Sequence, residues 1–88
     1  MRNYRRHLGP RFSEGARLLW TKLERLGLTA ADVRREVRAS SGLVEMWLYG
    51  EKVPRIEYAG RLNEKFGIPV HKWVEQPKRS FVPPAART

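Results

Sequence analysis

The sequence predicts an all-α fold, a compact bundle of five short helices. In successive segments the apolar residues recur at the three- and four-residue spacing of one helix face, and glycine or proline residues separate the segments. No segment alternates between apolar and polar residues convincingly enough to indicate a strand. The chain contains no cysteine, which excludes a disulfide framework and a thiolate metal site. Its 88 residues suit one small domain.

The first two helices are predicted from capping residues and apolar spacing. Ser13 can cap the first helix, which ends at Gly27. Its buried face is expected to contain Ala16, Leu19, Trp20, Leu23 and Leu26. Thr29 can cap the second helix, and Asp32 three residues later completes a variant of the capping box. The apolar stripe of this helix contains Ala30, Val33 and Val37.

The third helix is predicted within SSGLVEMWLYG, with Ser40 or Ser41 as its cap and Gly50 as the residue that terminates it. Its apolar side is expected to contain Leu43 or Val44, Trp47 and Leu48. The fourth helix should run from about Arg55 to Phe66 and end at Gly67. The residues that it is expected to bury are Ile56, Ala59, Leu62 and Phe66.

A fifth helix is expected to begin at Pro69, because proline is favoured at the first helical position, and to run through Glu75. Its apolar residues are Val70, Trp73 and Val74. From Gln76 the chain is rich in proline and basic residues, so we expect an extended, mobile tail. Phe81 is the one large apolar group of that tail, and it suggests a segment that docks onto a partner or onto the same domain.

The whole chain has a net charge of +9, and the positive charge is concentrated at its two ends. Residues 1–11 contain four arginines and no acid, and Gly9-Pro10 breaks any helix there, so we expect a flexible basic arm. Residues 77–88 form the basic tail, and the domain between them, residues 12–76, has a net charge of only +2. This distribution favours an anionic partner such as nucleic acid. Basic termini that only keep the protein soluble are the alternative.

Two short helices separated by a few residues, 29–37 and 41–49, form a unit that can place its second helix in a DNA major groove. From residue 28 to 68 the chain resembles the Cro/C1-type (XRE-family) helix-turn-helix domain, whose fold is lambda-repressor-like. The similarity rests on LT at the start of the second helix, a serine opening the third, and Val44 and Trp47 inside it. GEKVP just after that helix, and IEYAGRLNEKFGIPV as the next helix and its exit, complete the register.

The resemblance implies a DNA-binding transcriptional regulator of bacteria or their phages, which binds double-stranded DNA as a homodimer on two half-sites. The residues that would face the bases are Ser41, Gly42, Glu45 and Met46. Near the phosphates we expect Arg34, Arg35, Arg38, Ser40, Lys52 and Arg55. In the N-terminal arm, Arg2, Arg5 and Arg6 would track the backbone or enter a minor groove. For the dimer surface we expect Val70, Val74 or Phe81.

Three features depart from the family pattern: two positions and the outward face of the third helix. Arg34 replaces the usual small residue, and Arg38 replaces the usual left-handed glycine of the turn. Either the turn is reshaped, or Arg34 lies along the helix pair with its charged head in solvent. The outward residues of the third helix also lack the arginine, asparagine and glutamine that commonly read guanine and adenine. Sequence preference is therefore expected to be shallow, with phosphate contacts supplying most of the affinity.

Two alternatives share the same scaffold. The protein could be an adaptor or assembly factor that holds a protein partner through Leu43, Met46 or the C-terminal tail, since these residues would form an adaptable apolar patch. It could also compact DNA with little sequence preference. His7 and His71 are far apart in the sequence, and no nucleophile or phosphate-loop motif is present, so we expect a non-enzyme without metal or cofactor. No segment is apolar enough for a membrane span, and we expect a cytoplasmic, nucleoid-associated protein.

Overall fold

The computed structural model describes residues 8–84, which fold into four α-helices and one 3₁₀ helix. The α-helices are α1 (Glu14–Leu26), α2 (Ala30–Val37), α3 (Leu43–Leu48) and α4 (Ile56–Phe66), and the 3₁₀ helix spans Val70–Val74. Helix α2 packs against α3 and α4, and the 3₁₀ helix packs against α1 and α4. Between residues 8 and 84 there is no strand, so the all-α prediction is confirmed.

Local capping explains where α1 and α2 begin and where α1 and α4 end. The hydroxyl of Ser13 accepts the N–H of Ala16 at 3.3 Å. Thr29 and Asp32 form a reciprocal capping box, in which each side chain accepts the backbone N–H of the other residue. Helices α1 and α4 both end at left-handed glycines, Gly27 and Gly67. These four boundaries were predicted from the sequence.

Helix α3 begins later than predicted. The expected cap, Ser40 or Ser41, is wrong, because the N-cap is Gly42 and no side chain caps this helix. Gly42 has a φ of 84°, a left-handed conformation that glycine adopts without a side-chain clash. The two serines instead lie in the preceding turn, where the N–H of Leu43 donates to the Ser40 carbonyl at 3.2 Å.

The last helical segment is a 3₁₀ helix, not the α-helix expected over Pro69–Glu75. At three residues per turn, Val70 and Trp73 fall on the same side. Trp73 is 2% exposed, whereas the next residue, Val74, is 81% exposed. The tighter winding therefore explains why Val74 is not part of the core.

One hydrophobic core joins all five helical elements. Its largest fully buried side chains include Trp47, Leu19 and Leu62. The prediction that Leu26 and Ile56 are buried is wrong, because Leu26 is 54% exposed and Ile56 is 73% exposed. Leu26 is the last residue of α1 and Ile56 the first of α4, so each continues the apolar spacing at a helix end where no neighbouring element covers it. No helix of residues 8–84 is long and apolar enough to cross a membrane.

The segment before α1 is tied to the end of α3. The N–H of Gly9 donates to the carbonyl of Tyr49 at 2.6 Å, and the N–H of Arg11 donates to the carbonyl of Gly50 at 2.9 Å. A Cβ atom on Gly9 would lie 2.5 Å from the Gly50 carbonyl oxygen, so this approach requires glycine. The predicted arm residues Arg2, Arg5 and Arg6 lie outside the described residues.

The start of the C-terminal tail packs back onto the domain. The ring of Phe81 stacks on Phe12 with centroids 5.5 Å apart and lies 5.7 Å from the ring of Trp20. The N–H of Lys78 donates to the buried carboxylate of Glu14 at 2.8 Å. The sequence suggested that Phe81 docks either onto a partner or onto the same domain, and in the structure it packs onto the same domain.

Candidate nucleic-acid interface

The turn between α2 and α3 contains a strained arginine. Arg38 has φ 59° and ψ 44°, and it is the only non-glycine residue between residues 8 and 84 with a positive φ. Its N–H and that of Ala39 both point to the carbonyl of Arg34, the latter at 3.0 Å. Arg38 therefore takes the left-handed conformation in which the resembled family usually has glycine. Arg34 is half-buried at the end of α2.

Helix α3 is fixed to the core along one side. Val44, Trp47 and Leu48 are buried. The indole N–H of Trp20 in α1 donates to the carbonyl of Leu48 at 2.8 Å, and the ring of Tyr49 meets that indole edge-on at 5.6 Å. These contacts join the end of α3 to α1 and determine which face of α3 is left outward.

The outward face of α3 is small and weakly polar. Among the residues expected to face bases, Ser41 is exposed and Gly42, Glu45 and Met46 are half-buried. Leu43, part of the apolar patch expected for a protein partner, is half-buried as well. This face therefore offers one exposed hydroxyl and one carboxylate for hydrogen bonding with bases.

Beside α3, a cleft of about 210 Å³ contains two of the predicted phosphate contacts. Lys52 and Arg55, both exposed, line it together with Leu43 of α3 and Tyr58 of α4. The ring of Tyr58 packs at 5.4 Å from the ring of Trp47. The loop from α3 to α4 thus presents two cations on an aromatic and apolar base.

A second cleft, of about 390 Å³, lies between the end of α2 and α4. Four basic residues line it: Arg35, Arg38, Arg61 and Lys65. Two acids, Glu36 and Glu64, line it as well, and Lys65 lies 3.9 Å from the Glu36 carboxylate. Arg35 also forms an ion pair with Asp32, so part of its charge is already compensated. Four cations against two acids leave this cleft positively charged.

Arg61 joins the two clefts. Its guanidinium donates to the carbonyl of Val37, the last residue of α2, at 2.9 Å and lies 5.6 Å from the centroid of the Tyr58 ring. Tyr58 lines the first cleft and Arg61 the second. We call the combined set the basic surface: Arg35, Arg38, Lys52, Arg55, Arg61 and Lys65. The exposed Ser40 and the half-buried Arg34 do not line either cleft.

Two members of the basic surface, Arg61 and Lys65, were not predicted from the sequence as phosphate contacts. A signal was present, because Tyr58, Arg61 and Lys65 follow the three- and four-residue spacing of one face of α4. The charge pattern alone does not say that this face meets the end of α2. That information comes from the packing of α2 on α4.

The strongest electrostatic perturbation lies away from this surface, at Glu14. Its side chain is buried, and it accepts from Arg17 at 2.9 Å and from the N–H of Lys78 at 2.8 Å. The hydrogen bond from Arg17, more than that from Lys78, lowers the pKa of Glu14 from 4.5 to about 2, although burial acts in the opposite direction. This buried acid holds the tail on α1, a structural role that the sequence did not indicate.

Metal chemistry has no support in the described part of the chain. Between residues 8 and 84 no three histidine, aspartate or glutamate side chains come together in a way that could hold a metal ion. The expected absence of a metal site stays a prediction.

Of three comparisons with known proteins, only the comparison with solved structures found a similar protein. No family model matches the chain, and no curated protein matches it. A solved structure described as a transcriptional regulator from Listeria innocua is similar, with a TM-score of 0.62 and 20% sequence identity. The match covers 80% of this chain and 65% of that one, so this chain spans less than two thirds of the length of that protein. At this identity the likeness establishes a common fold.

Proposed function

We propose that the protein is a DNA-binding transcriptional regulator of the Cro/C1-type, in which phosphate contacts supply most of the affinity. The observation that carries the proposal is the basic surface, whose six cations come from three parts of the chain. Lys52 and Arg55 line a cleft with Leu43 of α3, and the other four cations line the cleft between α2 and α4. Each cation that meets a phosphate releases counterions, so such a surface binds duplex DNA with little dependence on sequence. The fold shared with a transcriptional regulator supports the same function.

Base contacts would contribute less. Ser41, Gly42, Glu45 and Met46 would face the groove, where the serine can bond to several bases and the glutamate can accept from cytosine. The carboxylate of Glu45 would also be repelled by nearby phosphates. We therefore expect discrimination between sequences to be shallow, which leaves low-specificity DNA compaction as a variant of the same activity. Either activity would make the protein cytoplasmic and nucleoid-associated.

A binding titration with paired variants tests this proposal. The variant K52A/R55A removes two cations of the basic surface, and K22A/R25A removes two cations of α1 that do not line either basic cleft. On a fluorescent 20-base-pair duplex at low salt, we expect K52A/R55A to weaken binding about tenfold or more, and K22A/R25A to weaken it much less. Equal losses would show that net charge, not the basic surface, sets the affinity. Absence of binding at micromolar protein would refute DNA binding.

A homodimer would let the protein span two half-sites. Of the three residues expected at the dimer surface, Phe81 packs within the domain, whereas Val74 is 81% exposed. Val74 and Val53 line a common cleft of about 170 Å³, and the buried indole N–H of Trp73, which lines the same cleft, has no acceptor in the described part of the chain. A partner copy that covers this cleft would remove the exposed side chain of Val74 from water.

The dimer proposal predicts that Val74→Glu shifts sedimentation from dimer to monomer, because a charge at an apolar contact is costly to bury. Val82→Glu is the matched control, since Val82 is also exposed, at 50%, and does not line that cleft. A dimer that survives Val74→Glu, or dissociates equally in Val82→Glu, would place the interface elsewhere.

The adaptor function remains a second candidate with a separate test. It requires Leu43 and Met46 to offer apolar surface, and both are half-buried. The variant L43S/M46S should leave phosphate-driven DNA binding nearly unchanged if the first proposal is right. Loss of a protein partner with intact DNA binding would favour the adaptor.

A further inference from the structure

Helix α3 depends on packing from other segments. It has six residues, fewer than any other α-helix of residues 8–84, and no side chain caps its N-terminus. Isolated helices of this length do not persist in water, because too few hydrogen bonds offset the cost of starting a helix. The carboxyl end of α3, residues 48–50, is therefore held in place by contacts from outside the helix, and we call these three residues the α3 end.

Two aromatic residues from other segments hold the α3 end. The indole N–H of Trp20 donates to the Leu48 carbonyl at 2.8 Å, and the same ring meets the ring of Tyr49 edge-on. The backbone of Phe12 packs so closely against Gly50 that a Cβ atom on residue 50 would overlap it. The positions of Trp20 and Phe12 therefore bear directly on the α3 end.

Phe81 of the C-terminal tail contacts both of these aromatic residues. Its ring stacks on Phe12 with centroids 5.5 Å apart and lies 5.7 Å from the ring of Trp20. The tail is fixed on both sides of Phe81, because the N–H of Lys78 donates to the Glu14 carboxylate at 2.8 Å and Pro83 is buried. One side chain of the tail thus packs against both residues that hold the α3 end.

The α3 end leads directly into the loop that contains two cations of the basic surface. The N–H groups of Glu51 and Lys52 both donate to the carbonyl of Met46, at 2.8 and 3.2 Å. The first residues of this loop are therefore bonded to α3 itself, and Lys52 lines the cleft beside α3. A displacement of the α3 end would move Lys52 relative to the outward face of the helix.

We propose that Phe81 is a positioning residue for the DNA interface, which through Trp20 and Phe12 fixes the α3 end and with it the place of Lys52. This inference rests on the proposed DNA binding. Phe81 carries no charge and lines neither basic cleft, so its effect on DNA binding is transmitted through α3. Release of Phe81 leaves the cations present but loosens their arrangement.

NMR spectra of the full chain without DNA test the first step. In Phe81→Ala the amide resonances of Glu51 and Lys52 should move, whereas those of α4 should stay in place. Chemical shifts report the folded state, so a tail that only adds stability would leave all of these resonances unmoved. Val82→Ala, which changes an exposed residue of the same tail, is the control. Phe81→Tyr keeps the ring and should restore the shifts of the unmodified protein.

A titration with duplex DNA, at a temperature where every variant is folded, tests the second step. Phe81→Ala should weaken binding about threefold to tenfold, because the energy of the lost aromatic contacts sets the upper limit of the shift. Phe66→Leu, which loosens the core at the end of α4, is the control for lost stability and should change the affinity less than about twofold. Phe81→Leu, which is apolar but lacks the ring, should behave like Phe81→Ala and replaces it if that variant does not fold.

Two results would overturn the proposal: unmoved amide resonances of Glu51 and Lys52, or a Phe81→Ala protein that binds DNA as tightly as Phe66→Leu. If the unmodified protein binds no DNA, the proposed function fails, and the amide resonances alone decide whether Phe81 positions the α3 end.

Discussion

Replacing Arg38 by glycine should stabilise the fold and weaken DNA binding at the same time. Arg38 has a φ of 59°, and a left-handed conformation costs a residue with a side chain roughly 1–2 kcal/mol. Glycine avoids this cost but loses about 0.5–1 kcal/mol more conformational freedom on folding. The hydrogen bond from the residue 38 N–H to the Arg34 carbonyl is kept, and the exposed side chain contributes little to stability. The net gain should be about 0.5–1 kcal/mol.

Thermal unfolding followed by circular dichroism measures the effect. For a domain of this size the gain corresponds to a rise in Tm of roughly 2–8 °C. Arg38→Ala is the control, because alanine loses the charge but keeps the strain, so its Tm should not rise. Both variants should bind duplex DNA more weakly by a similar factor, since both lose one cation of the basic surface. An Arg38→Gly protein that is no more stable than Arg38→Ala would refute the strain argument.

Three further predictions concern the packing that positions the interface. The pKa of Glu14 is lowered from 4.5 to about 2, so its ionised carboxylate stabilises the fold above pH 4.5, and this stabilisation is lost as the pH falls towards 2. The lost free energy of unfolding is roughly 3 kcal/mol at most. In urea titrations at several pH values, Glu14→Gln should lose less stability on acidification than the unmodified protein. Gly50→Ala should lower the free energy of unfolding by more than about 1 kcal/mol, because residue 50 has a φ of 76° and a Cβ atom there would overlap the backbone of Phe12. Gly60 lies in α4 with open space around it, so Gly60→Ala should raise the free energy of unfolding by about 0.5–1 kcal/mol. Phe81→Ala should cost about 1–2 kcal/mol in the same titrations through loss of its stacking on Phe12, and an unchanged midpoint would contradict the docked tail.

The sequence predicted the elements whose signals are local. Ser13 and Thr29 cap their helices within three residues, and Gly27 and Gly67 end theirs, so neighbouring residues carry the information. The start of α3 was wrong because a serine pair is a good cap in general, whereas the turn here needs the left-handed conformation that Gly42 supplies.

Features that depend on contacts between distant segments could not be predicted in this way. The spacing of apolar residues does not reveal that Ile56 lies at the end of α4, where no other described element packs against it. It also does not reveal that Glu14 is buried and accepts a hydrogen bond from the N–H of Lys78. Arg61 belongs to the basic surface because α4 packs against the end of α2, a contact between residues 24 positions apart. Lys52 and Arg55, by contrast, were identified from their place just after α3, and their role on DNA stays a prediction.

The salt dependence of DNA binding tests the central proposal most directly. If four to six cations of the basic surface meet phosphates, the logarithm of the binding constant should fall with the logarithm of salt concentration with a slope of roughly −4 to −5. The slope should be similar for unrelated duplex sequences, and K52A/R55A should make it shallower by nearly two. A slope near zero, or one that K52A/R55A leaves unchanged, would contradict a phosphate-driven interface on this surface.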